Sequence, residues 1–220
     1  EDDPYRALRY SDEHLPTIFS FDTEGLVVYL TSFSKLISPG LRVGSAVVKN
    51  PALMRKLVVG KQSTDLHTPT LSQAIVAEYL ARGLLPAHMA KILAMYREQL
   101  ALMQRELAAL PVRVYPTEGG LFIWCETDAR VNALELLQTA VQNRVAFVPG
   151  THFYAHGGHL NTLRLNFSNS TPEQIAKGMA ALRELSARLA RLEEERRDLA
   201  HFAQHIAILY DEGRQLFLQD

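Results

Sequence analysis

The sequence predicts an α/β chain, and three observations carry that prediction. Two near-continuous apolar runs, Leu26–Thr31 and Val43–Val48, have the length and composition of strands in a parallel sheet covered by helices on both faces. A long helical pattern opens at Pro86, with Met89, Ile92, Leu93, Tyr96, Leu100, Met103 and Leu107 on one stripe. Beyond it, strand-like and helical segments alternate as in a smaller α+β domain.

Each element has a local reason. Asn50-Pro51 starts a helix after the second apolar run, with proline in the first turn. Residues 69–82 read as a second helix, with Leu71, Ala74, Ile75, Tyr79 and Leu80 near helical spacing. The helix from Pro86 runs six or seven turns and links a large domain to a small one. Pro111 stops it. The small domain then reads strand (112–115), strand (120–125), helix (132–143), strand (145–148) and strand (162–166). Thr171-Pro172-Glu173-Gln174 has the form of a capping box with proline at the first helical position. The helix it starts runs past Leu185. The expected divisions are 1–85, an interdomain helix 86–110, a small domain 111–188 and a helical tail 189–220. In that tail, residues 191–198 are charge-dense, as a solvated helix would be. Leu199, Phe202, Ile206, Leu209 and Tyr210 follow as a candidate apolar stripe, either a longer final helix or a surface for a partner.

Composition narrows the function. With 220 residues, 47% of them hydrophobic, the chain can build a real core. A formal net charge of −1 gives no electrostatic case for nucleic acid. The single cysteine, Cys125, excludes an internal disulfide and fits a reducing compartment. Its neighbours Ile123 and Trp124 mark it as a buried thiol rather than a nucleophile. No apolar run reaches membrane-spanning length and no signal peptide is evident, so no membrane is expected and a cytoplasmic setting is. His152, His156 and His159 cluster in a Gly-rich loop without a thiol or carboxylate, so no metal site is expected there.

The chemistry gathers at Lys35, in Thr31-Ser32-Phe33-Ser34-Lys35 followed by Pro39-Gly40-Leu41-Arg42-Val43-Gly44. A lysine at the end of a buried strand loses hydration, which lowers its pKa and frees an amine to attack a carbonyl. The Ser32 hydroxyl and the planar donor fork of Arg42 can hold a phosphate, with Ser34 a further donor. A lysine nucleophile beside a phosphate site is what a Schiff-base pyridoxal 5'-phosphate enzyme needs. The bland alternatives are a surface lysine, an arginine paired with a carboxylate and a turn hydroxyl.

These residues resemble the cofactor-lysine motif of class I/II aminotransferases, the fold-type I pyridoxal-phosphate enzymes. Four further segments carry the resemblance in the same order: Asp2-Asp3-Pro4-Tyr5; Pro116 to Trp124, with Gly119-Gly120 and Phe122; Val145 to Gly150; and Leu163-Arg164-Leu165-Asn166-Phe167-Ser168. The resemblance covers about residues 1–188 and is nearest in pattern to the α-aminoadipate and kynurenine aminotransferase group. It implies that Lys35 carries the cofactor and moves the substrate α-proton. Asp2 faces the ring nitrogen, Tyr5 the ring's phenolic oxygen, and Ser32, Ser34 and Arg42 the phosphate. Arg164 clamps the substrate α-carboxylate. Its place in an alternating strand, opposite in face to Leu163 and Leu165, suits that role. The implied reaction is transamination of an amino acid with a 2-oxo acid, 2-oxoglutarate, in a homodimer. His67 corresponds to a loop that in the family approaches the partner's site, and an ordinary loop residue is the preferred reading there.

The resemblance also implies the C-terminal portion of such an enzyme: the end of its large domain and the small domain. The family's glycine-rich phosphate loop, stacking aromatic and ring-oxygen asparagine have no counterpart in these residues. Thr31 stands where the family has glycine. The segment holding Asp2 is a chain end, where fraying is expected. Three rivals remain: a pyridoxal-phosphate-sensing domain of a winged-helix transcription regulator, a non-catalytic fragment, and a β-lyase or decarboxylase of the same fold. Asp3-Pro4-Tyr5-Arg6 and Pro39-Gly40-Leu41-Arg42 fit the enzymes better than the regulators.

Overall fold

The computed structural model describes residues 1–11 and 13–217. It divides into two compact units, Glu1–Glu98 with Thr117–Leu121, and Gln99–Pro116 with Phe122 onward.

In the first unit, residues 1–3 are tied to a strand. The Glu1 nitrogen donates to the Val28 carbonyl at 2.9 Å. The Leu30 N–H donates to the Glu1 carbonyl at 2.8 Å, and the Asp3 N–H to the Leu30 carbonyl at 2.9 Å. Residues 1–3 thus lie parallel to the strand β1 (Val28–Ser32), and the expected fraying is replaced by strand pairing. A single helical turn, α1 (Ile18–Phe21), precedes β1, with the Thr17 hydroxyl oxygen accepting from the Ser20 N–H. β2 (Gly44–Val48) pairs with β1 antiparallel, in register from Val28↔Val48 to Ser32↔Gly44.

This corrects the expected parallel, doubly covered pair. The connection Phe33–Val43 turns back through a short 3-10 turn, Pro39–Leu41, and is too short for the crossover a parallel pair needs. Burial differs too. Leu26 lies outside β1 and is 72% exposed, and Leu30 and Val47 are also exposed. An apolar run reads alike whether one face or two are covered, and here neither strand is enclosed.

α2 (Pro51–Asp65) starts where Asn50-Pro51 predicts. The Asn50 side chain accepts from the Ala52 and Leu53 N–H groups, satisfying two donors that a helix start leaves open. α3 (Thr70–Ala81) is also in its predicted place, but its face is not. Val76 is the buried residue, whereas Leu71 is 73% exposed and Ile75 and Leu80 are exposed. The last part of this unit, residues 117–121, pairs antiparallel with residues 8–10. The Tyr10 N–H donates to Glu118 O and the Gly120 N–H to Leu8 O, each at 2.8 Å. Leu8 is fully buried beside them. A Cβ at Gly119 would lie 2.8 Å from the Leu8 carbonyl oxygen, so only glycine permits this approach.

α4 (Leu85–Leu107) is the predicted long helix, and the division between the units falls inside it, at Glu98–Gln99. Its C-terminal half buries Leu100, Met103 and Leu107.

The second unit is built on an antiparallel sheet in the order β3-β4-β6-β5, from β3 (Arg113–Val114), β4 (Phe122–Glu126), β5 (Val148–Pro149) and β6 (Thr162–Asn166). α5 (Ala133–Gln142) lies between β4 and β5 in sequence, and α6 (Pro172–Phe217) follows β6. One sheet face supplies Ile123, Cys125, Leu163 and Leu165 to the core, which also takes Leu136 and Ala140 of α5 and Ile175, Met179 and Leu182 of α6. Strand pairing around Val145 is shorter than expected. The Val145 N–H donates to Ala140 O, closing the end of α5, and so is not free for a ladder.

The capping box forms in both directions. The Thr171 N–H donates to Gln174 Oε1 at 2.8 Å, and the Gln174 N–H to Thr171 Oγ1 at 3.3 Å. α6 continues as one helix through the charge-dense stretch. Leu199 and Phe202 are exposed on it. The side chains of Ile206, Leu209 and Tyr210, and residues 218–220, lie outside what is described.

Candidate active site

β1 delivers Lys35 to a tight turn. The Phe33 carbonyl accepts from the N–H groups of Leu36 at 3.2 Å, Ile37 at 2.8 Å and Ser38 at 3.3 Å, and the Phe33 N–H donates to the Val43 carbonyl at 3.0 Å. Ser32 is the last residue of β1, and its Oγ accepts from the Ser34 N–H at 3.2 Å. That bond uses an oxygen lone pair and leaves the Ser32 O–H free to donate. Lys35 is half-buried, and its Nζ lies 6.0 Å from the centroid of the Tyr5 ring.

Asp2 is exposed and stands beside Leu30 on β1, held by the backbone bonds on either side of it. Thr31 ties the same segment down, since its hydroxyl donates to the Asp3 carbonyl at 3.3 Å. A threonine where the family has glycine thus joins the Asp2 segment to the lysine strand. Arg42 takes a left-handed backbone, φ 56°, at the end of the 3-10 turn. Its guanidinium is exposed and, among the described residues, donates at 3.4 Å to Pro39 O. Two residues on, Gly44 pairs with Ser32, and a Cβ there would sit 2.9 Å from Thr31 O. The turn therefore holds a primary amine, hydroxyl donors and a guanidinium near one strand end, a donor set that suits a phosphorylated carbonyl compound.

Arg164 belongs to the second unit. It pairs across β4–β6 with Trp124 and across β6–β5 with Val148. As the alternation predicts, it faces away from buried Leu163 and Leu165. Its guanidinium carbon lies 4.1 Å from the Phe122 ring centroid and 4.6 Å from that of Phe153. Among the described residues, its enclosed Nε has no hydrogen-bond partner. A buried donor left unpaired is costly, and a carboxylate would relieve it. Trp124 packs edge-on against Phe153, with centroids 5.5 Å apart.

The two rings are the functional candidates that sequence reasoning missed. Phe122 had a signal: it shares a β4 face with Trp124. Phe153 had none, because its reach depends on the 3-10 turn Gly150–Phe153 after β5. Cys125 is fully buried, as expected, and burial pushes its thiol up to about 12. His159 stacks on Tyr154 at 3.9 Å. Among the described residues, no cluster of histidine, cysteine and carboxylate groups could hold a metal ion, and no helix is long and apolar enough to cross a membrane.

Comparison with known proteins gives this geometry a family. The model of aminotransferase class I and II matches residues 2–182. The chain is 40% identical over 187 residues to aromatic-amino-acid aminotransferase 1 of Thermococcus litoralis, covering 84% of this chain and 45% of that one. It is 41% identical over 188 residues to 2-aminoadipate transaminase of Thermus thermophilus, covering 83% and 47%. The crystal structure of α-aminoadipate aminotransferase from Thermus thermophilus, complexed with N-(5'-phosphopyridoxyl)-L-leucine, matches with a TM-score of 0.81 at 40% identity, covering 87% of this chain and 50% of that one. The chain spans about half the length of these relatives. It belongs to the class I and II aminotransferases.

Proposed function

We infer that this chain carries the lysine-bearing part of a pyridoxal-phosphate-dependent aminotransferase, which moves an amino group from an amino acid to a 2-oxo acid. The observation that carries this reading is the Lys35 amine on a strand-end turn, beside the Tyr5 ring and the paired Ser32–Ser34 segment. In the proposal, Lys35 Nζ anchors the cofactor covalently, and Ser32, Ser34 and Arg42 hold its phosphate. Asp2 faces the ring nitrogen and Tyr5 donates to the ring oxygen. Once bound, pyridoxal 5'-phosphate supplies an electron sink for the charge left when the substrate's α-proton departs. Lys35 Nζ takes that proton and returns it. Arg164 takes the substrate α-carboxylate, a role supported by its unpartnered Nε.

The acceptor in this reading is 2-oxoglutarate, the assembly is a homodimer and the setting is the cytoplasm. Relatives near 40% identity that are named aminotransferases support this reading over a sensor domain. The test is to load the chain with cofactor and offer a panel of amino acids with 2-oxoglutarate. Glutamate formation that Lys35→Ala abolishes is the expected result. A folded chain in which Lys35 takes up no cofactor would overturn the reading.

A further inference from the structure

We propose that α6 beyond Leu185 pairs with the same helix of a second copy of this chain, as a parallel coiled coil. The inference is independent of the cofactor reading, because this segment lies beyond residue 182, where the family match ends.

The sequence carries a seven-residue repeat here. Leu185, Leu192, Leu199 and Ile206 stand seven apart, at the d places of a heptad pattern. Leu189, Ala203 and Tyr210 take three of the four a places that follow them, and Arg196 takes the other. The pattern is thus sustained over more than three heptads, the length at which it argues for a coiled coil. α6 runs to 46 residues, far beyond the usual helix, with neither glycine nor proline from Met179 to Glu212. A strict repeat of seven keeps one seam facing another helix only when the two wind round each other.

The structure shows which side of α6 is open. Leu182 and Leu185 are buried in the second unit, and Leu185 is the last described residue of α6 to be so. Farther along, Leu192 and Leu199 are 49% and 69% exposed, and Phe202 beside them is 64% exposed. The other side is occupied. Glu194, Arg197, Asp198 and His201 line a groove with Arg130, from the loop before α5. Arg197 and Glu194 stand close enough to act on the charges of Asp128 and Arg130. At about 100° per residue, Leu192 and Leu199 lie roughly half a turn round the helix from Arg197, so the stripe faces away from that loop.

The repeat and the charges identify the occupant and its direction. In a parallel, in-register pair, Leu192 meets Leu192 and Leu199 meets Leu199. Glu195, at the g place just before Arg196, then stands beside the second copy's Arg196 and offsets its charge. An antiparallel pair would instead set each Arg196 against an apolar d residue.

The test measures association of the full chain by sedimentation equilibrium. The unmodified chain should dimerise, and Leu192→Glu/Leu199→Glu should weaken the dimer by at least about 100-fold. Emission from Trp124, the only tryptophan, reports whether the second unit stays folded. Arg197→Ala, on the occupied side, should leave the dimer unchanged. Mild oxidation reads the face. Cys125 is the only cysteine and is fully buried, so an introduced cysteine supplies the accessible thiol. Leu199→Cys should give a disulfide-linked dimer and Arg197→Cys should not. A monomeric unmodified chain overturns the pairing and leaves the stripe to another occupant. A dimer that the two glutamates do not weaken associates elsewhere and overturns it too. A disulfide through Arg197→Cys rather than Leu199→Cys overturns the assigned face.

Discussion

Replacing Gly150 by alanine should cost the second unit about 2–4 kcal/mol. A Cβ at this position would stand 2.1 Å from Thr162 Oγ1, 2.6 Å from Thr162 Cβ and 2.8 Å from the Trp124 ring. Thr162 is 2% exposed and its hydroxyl donates to the His159 carbonyl at 2.6 Å, so it has no open side to retreat to. Forced shifts in a packed interior cost about 1–3 kcal/mol, and disturbing the buried hydroxyl bond adds about 1 kcal/mol. For a chain of this size the sum lowers Tm by roughly 4–16 °C. Gly178, inside α6, gives a control of opposite sign. Its added Cβ would meet only Val145 Cγ2, at 3.9 Å, and a helical Gly→Ala change gains about 0.5–1 kcal/mol. Urea unfolding followed by Trp124 emission reads both variants. A Gly150→Ala midpoint equal to that of the unmodified chain would refute the reasoning. The site would be affected as well, because the turn that Gly150 opens carries Phe153 to Arg164.

Three further perturbations have expected outcomes. Cys125 should resist thiol reagents at about pH 8 in the folded chain and react fully in denaturant, since only the thiolate attacks. Its raised pKa stabilises the fold below the ordinary thiol value, and that stability is lost as pH rises from about 9 toward 12; Cys125→Ala should flatten the alkaline fall in urea midpoint. Thr171→Ala removes half of the capping box and should cost about 1 kcal/mol, with faster amide exchange at Gln174; unchanged exchange would mean the cap contributes nothing. Gly44→Ala drives a Cβ against the Thr31 carbonyl and should cost about 1–3 kcal/mol, exposing the Phe33 amide to exchange; a protected Phe33 would contradict the close approach.

Legibility in the sequence followed the range of each cause. Asn50-Pro51, Pro86 and Thr171–Gln174 are local signals, and the helices start at or within a residue of them. The pairing of β1 with β2 is not local. Their apolar runs suggest burial on both faces, but direction depends on the connecting turn and burial on what covers the faces. The same holds for α3, whose apolar residues at Leu71, Ile75 and Leu80 face outward while Val76 is enclosed. At the candidate site, the Lys35 turn and the face of Arg164 were legible, because strand alternation fixes where Arg164 points. The rings that flank it, the unpartnered Nε and the Thr31 bond to the Asp2 segment arise from tertiary approach, which no spacing encodes.

The central claim is that Lys35 Nζ anchors the cofactor. The most direct measurement incubates the chain with pyridoxal 5'-phosphate, reduces it with borohydride and locates the added mass by peptide mass spectrometry. The expected result is one phosphopyridoxyl group on Lys35, lost in Ser32→Ala/Arg42→Ala and absent in Lys35→Ala. Label spread over surface lysines such as Lys49 and Lys61, with Lys35 unmodified in a folded chain, would contradict it.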